Sequence, residues 1–224
     1  MKFIFRKCLQ VILISSLSIS CWEIGKKQKG YLESRMEYRN VIKEKEKIDN
    51  VQDYLLYKEY DWITVNGTAI DYPLVKADDN QYYLTRNHEG NNSIAGAIFY
   101  DAHDEINNGN LTIIYGHSMR DGTMFNNLHF FPKDTGKFID SELVISDEEK
   151  DTKYKPLGFV NYNGNDPFYR NLDKADSETV LNTLNDRCDY FIYDNYDESK
   201  HIIVLVTCEY SQENGRVAVF YIAE

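Results

Sequence analysis

The first apolar stretch of the chain runs from Cys8 to Trp22 without a charge and follows Lys2, Arg6 and Lys7. Residues 23–58 are different. They are dense in charge, and Val41, Ile42, Ile48, Val51, Leu55 and Leu56 recur at near-helical spacing. That pattern predicts one or two helices, part spacer and part cover for a core, with the charges on a solvated face. From Trp62 the period shortens. WITVNGTAIDYPLV sets β-branched residues around an Asn-Gly turn signal, predicting strand, turn, strand. DDNQYYLTRN reads as a short helix or turn. GAIFYD and LTIIYGH read as buried strands, and TMFNNLHFF as helical with Thr123 as a cap. ELVISD and KYKPLGFVNYN follow as strands. SETVLNTLNDRC carries Val180, Leu181 and Leu184 on one face behind Ser177 as N-cap, the clearest helix of this region. HIIVLVTCEY and GRVAVFYIA close the chain as two strong strands joined by the polar loop SQENG. Many short strands with few helices predict a mostly β fold, a closed or nearly closed barrel.

Three regions follow from this pattern: an N-terminal segment 1–25, a helical spacer or cover 26–58, and a β-barrel domain 59–224. The 224 residues suffice for one domain with a core plus the N-terminal extension. With 18 Tyr and 11 Phe the chain is too aromatic for disorder. A net charge of −11 argues against nucleic acid as a partner, because phosphate is repelled. The basic start and apolar middle of residues 1–25 have the form of an export signal. The run from 8 to 22 is shorter than the roughly 20 residues of a comfortable transmembrane helix. No A-x-A-like cleavage site follows it, and Ser18 replaces the Leu that a lipobox built on Cys21 prefers. A cleaved signal peptide and a buried helix compete with the reading preferred here, a signal anchor entering the membrane through residues 8–22. The positive flank then puts residues 23–224 outside the cell, on a single-pass membrane protein.

Three residues draw attention for their chemistry. Cys208 ends the apolar run IIVLVT where a polar loop begins. His117 ends LTIIYG before a Ser-containing turn, and Arg216 opens the last strand after Asn-Gly. Each alone reads as structural or solvated. Together, at the edges of strands that a barrel brings side by side, they offer a nucleophile, a proton carrier and an oxyanion donor with no cofactor. Cys188 is the other cysteine of the β-rich region, and its spacing leaves a disulfide with Cys208 open. No Cys or His cluster has zinc-like spacing, so no metal is assigned. The acidic turn DAHDE at 101–105 offers oxygen ligands for weak calcium binding, though a solvated turn is the preferred reading. His88, His103, His129 and His201 read as structural or solvated.

LVTC followed by a short polar loop and Arg resembles the sortase signature, and IIYGHSM resembles the segment that carries the sortase histidine. Val204 stands where the first Thr of the signature is usual. DWITVNGTAIDYPLV, DDNQYYL, GAIFYD and TMFNNL look like class B sortases, so the resemblance spans roughly residues 50–224. It implies a closed sortase-type β-barrel of about eight strands, with N-terminal helices and a helix between the strands preceding the catalytic Cys. It implies a cysteine transpeptidase in which Cys208 attacks the carbonyl after Thr in an LPxTG- or NPxTN-like C-terminal sorting signal. A thioacyl enzyme forms, and an amine on the peptidoglycan cross-bridge or another acceptor resolves it. His117 then serves as acid and base, and Arg216 holds the oxyanion or the substrate backbone. Asn80, Leu84, Tyr169, Thr207 and Glu209 match the class B peptide groove. The partners implied are surface proteins bearing the sorting signal, the cell-wall amine and the membrane. Two alternatives stand beside this reading: a cysteine endopeptidase that resolves the acyl enzyme with water, and a non-catalytic surface-binding module on the same fold.

Overall fold

A computed structural model describes residues 2–103, 110–192, 197, 199–209 and 213–224. Helix α1 (Lys2–Lys45) is continuous, and α2 (Val51–Leu55) follows behind an Asn50 cap whose side chain accepts the Gln52 N–H. The two halves of α1 differ. Ile12, Leu13, Ile14, Leu17, Ile19, Trp22 and Ile24 are all exposed, whereas Tyr38 is buried, with Tyr31 and Ile42 packed on the main core. Tyr38 donates its hydroxyl to the Gly96 carbonyl at 2.5 Å, and Lys45 reaches Asp71 at 2.5 Å. The second half of the helix is therefore fixed to the barrel. Among the described residues no helix is long and apolar enough to cross a membrane.

The barrel begins with β1 (Asp61–Val65) and β2 (Ile70–Val75), an antiparallel hairpin. Its turn needs Gly67, which lies at φ +77°, a backbone region that costs a Cβ-bearing residue strain. Next come β3 (Ile98–Tyr100), β4 (Leu111–Tyr115), β5 (Leu143–Ser146) and β6 (Asp151–Asn163). Short helices α3 (Thr135–Ile139) and α4 (Pro167–Arg170) and the longer α5 (Ser177–Arg187) lie between strands. The chain ends with β7 (Tyr190–Phe191), β8 (Ile202–Glu209) and β9 (Gly215–Ala223). Sheet order is β5-β1-β2-β3-β4-β8-β9-β6-β7, and β5 also pairs with β6. That pairing closes eight strands into a mixed barrel and leaves β7 as an extra strand on β6. The β2–β3 and β4–β8 pairs are parallel, and the other pairs are antiparallel.

The unbroken apolar run of β8 has a simple cause: the strand is buried on both faces. Ile203 and Leu205 point into the barrel with Val217, Val219 and Tyr221. Val204 and Val206 point outward with Ala218 and Phe220, beneath Val180, Leu181 and Leu184 of α5. Two caps differ from the sequence expectation. Asp176 caps α5, accepting the Thr179 N–H at 2.8 Å, while Ser177 donates instead to the Asn110 carbonyl at 3.1 Å. A carboxylate at a helix N-terminus is favoured by the helix dipole as well as by the hydrogen bond. The TMFNNLHFF segment is a 3-10 helix, Phe125–Lys133, without a side-chain cap. Thr123 hydrogen-bonds to Asp121 at 2.6 Å rather than to the helix.

Candidate active site

Strand register builds the site. Cys208 on β8 lies opposite Arg216 on β9, and Arg216 lies opposite Tyr162 on β6. On the other flank, parallel β4 pairs Tyr115 with Val206. The alignment continues past the end of β4: the Gly116 N–H reaches the Val206 carbonyl at 3.3 Å, and the Thr207 hydroxyl donates to the Gly116 carbonyl at 2.8 Å. Carried on by two residues, it sets His117 beside Cys208. Partners across paired strands point to the same face. Tyr162, Arg216, Cys208 and His117 thus form one row across four strands. The row lies on the outer face, where Tyr162 and Val206 join the cluster under α5. His117, Cys208 and Arg216 are each partly exposed.

Each member of the row is held locally. His117 donates Nε2–H to the Leu84 carbonyl at 2.8 Å; a carbonyl only accepts, so Nε2 carries the proton. Its own carbonyl accepts the Phe125 N–H at 2.9 Å. Two glycines make the approach possible. A Cβ at Gly96, where φ is +61°, would meet the Tyr83 carbonyl at 2.6 Å and His117 Cδ2 at 3.1 Å. A Cβ at Gly116 would meet the Phe125 ring at 2.7 Å. Arg216 donates Nη1–H to the Gly215 carbonyl at 2.8 Å, which bends the guanidinium back along its own strand.

The remaining sequence candidates occupy different places. Asn80 donates to buried Asp101 at 3.0 Å and accepts the Ala102 N–H at 2.8 Å. Asp101 also accepts the Tyr115 hydroxyl at 2.8 Å, so Asn80 braces the end of β4 from behind. Leu84 is half-buried at the end of the 3-10 turn Tyr82–Leu84, and its carbonyl is the group that meets His117. Thr207 is buried, its hydroxyl engaged by Gly116. Tyr169 is buried behind the row, its ring stacked on Tyr162 with centroids 4.0 Å apart. Its phenol oxygen is buried without a hydrogen-bond partner, and burial pushes its pKa up to about 12. Glu209 ends β8 opposite Gly215; its side chain lies outside the described residues. Asp104 and Glu105 of the acidic turn also lie outside them.

Tyr162 escaped the sequence reading. Its phenol is held far above the ordinary range by burial, with Arg216 pulling down and Tyr169 and Cys208 pushing up. The only sequence signal was its place in the outward period of KYKPLGFVNYN, which has no meaning until β6 is registered against β9. Cys188 and Cys208 are free thiols, and burial raises the pKa of Cys188. His88 and His201 are held below the ordinary imidazole range, chiefly by burial. His129 is bonded to Ser118 at 3.0 Å and His103 to Asp101 at 3.1 Å.

No family model matches the chain. Among known proteins it is 34% identical over 167 residues to a Listeria monocytogenes protein named Sortase B, a match spanning 70% of this chain and 66% of that one. It is 30% identical over 179 residues to Sortase B of Staphylococcus aureus, spanning 70% of this chain and 67% of the relative. The chain thus spans about two thirds of the length of each relative. Among solved structures, a Bacillus anthracis protein described as similar to sortase B superimposes with a TM-score of 0.69 at 26% identity. That superposition covers 86% of this chain and 96% of the other.

Proposed function

Because the chain belongs to the sortase B family, we propose that it is a cysteine transpeptidase acting on a C-terminal sorting signal. The observation that carries this reading is the row across β4, β8 and β9, which sets Cys208 between a histidine and an arginine. A thiol needs a base or cation beside it to act as nucleophile, and an acyl-transfer intermediate needs a donor for its oxygen. The row supplies both, one on each flank.

The reaction follows from that placement. The Cys208 thiol gives its proton to His117, and the sulfur attacks the carbonyl after Thr of an LPxTG- or NPxTN-like segment. The Leu84 carbonyl holds Nε2–H, so Nδ1 is the nitrogen left with a lone pair to take the proton. The same carbonyl stabilises the imidazolium that forms. Arg216 donates to the tetrahedral oxyanion. Collapse breaks the peptide C–N bond, and His117 Nδ1–H protonates the departing amine. An incoming amine reverses the sequence: N–C forms, C–S breaks, and His117 takes the amine proton. Leu84, Thr207 and Glu209 are assigned to the groove that receives the sorting peptide, with Asn80 and Tyr169 as supports behind it. For Thr207 and Leu84 the geometry favours holding the row, Thr207 through its hydroxyl and Leu84 through its carbonyl.

The acceptor is assigned as a cell-wall amine. The N-terminal segment is assigned as the anchor that holds the domain on the outer membrane face; the exposed apolar residues of the first half of α1 support this. Fractionation of cells expressing the full chain, with protease added outside, tests that placement. The reaction is tested by incubating the full chain with sorting peptides, with and without triglycine. A thioacyl mass on Cys208, and a triglycine-joined product, are expected. An adduct that yields only the free acid would make the chain an endopeptidase. No adduct with any sorting peptide would leave a binding module.

A further inference from the structure

The two flanks of Cys208 are not equivalent. On one side Arg216 stands between Cys208 and Tyr162, and Tyr162 and Tyr169 pack in the cluster under α5. His117 opens on the other side into a cleft of about 700 Å³ between the barrel and the middle of α1. One wall is Lys27, Tyr31 and Arg35 from the helix; the other is His117, Arg120 and Asp121 from the loop after β4. In a chain of net charge −11 this cleft is locally cationic. Arg35 contacts Asp121 at 3.3 Å and donates to its carbonyl at 3.1 Å, so the one carboxylate named here is already paired. Lys27 and Arg120 are exposed and form no ion pair among the described residues.

We propose that this cleft seats the acceptor, and that it selects an amine carried on a carboxylate-bearing peptide. The inference rests on the transpeptidase reading above and adds the acceptor's place and charge. The reason is chemical. The attacking amine must give its proton to His117 as its nitrogen bonds to the thioester carbon and the Cys208 sulfur leaves. It therefore arrives on the flank where His117 meets solvent, the flank on which this cleft opens. A molecule lying in that approach passes between Lys27 and Arg120. Two cations with no ion pair among the described residues attract an anion and repel a cation, and they raise the local concentration of a carboxylate-bearing acceptor. Such an effect weakens with salt, because both side chains are exposed.

The test measures binding apart from catalysis. Full-length Cys208→Ala protein is titrated with labelled Gly-Gly-Gly-Glu-Glu, with its neutral Gln-Gln amide and with a Lys-Lys amide, and fluorescence anisotropy is read. The anionic peptide is expected to bind about tenfold more tightly than the neutral one, a margin that shrinks in high salt. In the Lys27→Glu/Arg120→Glu protein the order is expected to invert, with the Lys-Lys peptide now preferred. That gain of binding separates loss of charge from loss of fold. Equal affinities in the parent protein, or an order that survives the double reversal, would overturn the proposal. So would a reversal that alters only attachment to phosphatidylglycerol vesicles and leaves the peptides unaffected, since the cations would then face lipid. With Cys208 intact, KM for the Glu-Glu acceptor is expected to rise about tenfold in the double variant while KM for the sorting peptide holds. If the parent forms no acyl enzyme at all, the transpeptidase reading fails, and the binding order still reports on the cleft.

Discussion

Thr207→Val removes one hydroxyl and keeps the shape of the side chain, which makes it a test of how the row is assembled. The hydroxyl donates to the Gly116 carbonyl at 2.8 Å from a residue only 3% exposed. That bond ties β8, one residue before Cys208, to the loop one residue before His117. With Val the carbonyl of partly buried Gly116 loses its side-chain partner. An unsatisfied buried polar group costs about 1–3 kcal/mol, and each kcal/mol lowers Tm by roughly 2–4 °C in a chain of this size. A fall of about 2–12 °C is therefore expected, toward the low end because Gly116 is only partly buried. Activity should fall further than stability, because a shift of about 1 Å between reacting groups can cost about 100-fold in rate. Thr207→Ser keeps the donor and should stay within about threefold of the parent. The assay is thermal unfolding beside single-turnover cleavage of a sorting peptide. Parent-like Tm and rate in Thr207→Val would refute the reasoning. An unchanged Tm with only a raised peptide KM would move the hydroxyl from the frame to the substrate.

Three further outcomes follow from the same geometry. Arg216→Lys keeps the charge but not the fork of donors, so it should retain a small residue of activity and Arg216→Ala less, with a loss of about 100- to 1,000-fold; rescue of Arg216→Ala by raising the pH would show instead that the arginine only lowers the thiol pKa. Iodoacetamide should label Cys208 before Cys188, because burial keeps the Cys188 thiol protonated; peptide mapping that finds Cys188 labelled first would contradict this. His201 is held below the ordinary imidazole pKa by burial, with Nε2 3.0 Å from the Thr112 hydroxyl and Nδ1 3.1 Å from the Tyr154 hydroxyl. The neutral form is therefore the folded form: its stability is complete above about pH 6.5 and is lost as pH falls toward the lower folded value. Urea midpoints between pH 7.5 and 5 should fall in the parent and fall less in His201→Asn.

Local chemistry made much of the barrel legible. The Asn-Gly pair fixed the β1–β2 hairpin, and the double-sided burial of β8 wrote itself as IIVLV. KYKPLGFVNYN, read as a strand, forms β6. What stayed hidden depends on register. Asn80 is an ordinary polar residue until Asp101 is placed behind it, and Tyr162 is an ordinary strand tyrosine until β6 lies against β9. The Leu84 carbonyl is invisible for another reason: any residue has one, so nothing in the side-chain order marks the group that orients the histidine. Helix α1 joined two segments that composition separates, because helical hydrogen bonding continues across a change from apolar to charged side chains.

The parallel pairing of β4 with β8 also bears on when the chain becomes reactive. Gly116 and Thr207 are 91 positions apart, and α5 and five of the nine strands are synthesised after Gly116. Pairing at such separation forms slowly, since loop closure must precede any reward from contact. Until β8 docks, Cys208 has no histidine and remains an ordinary thiol. On the proposed transpeptidase reading, the nucleophile therefore matures only once the barrel has shut.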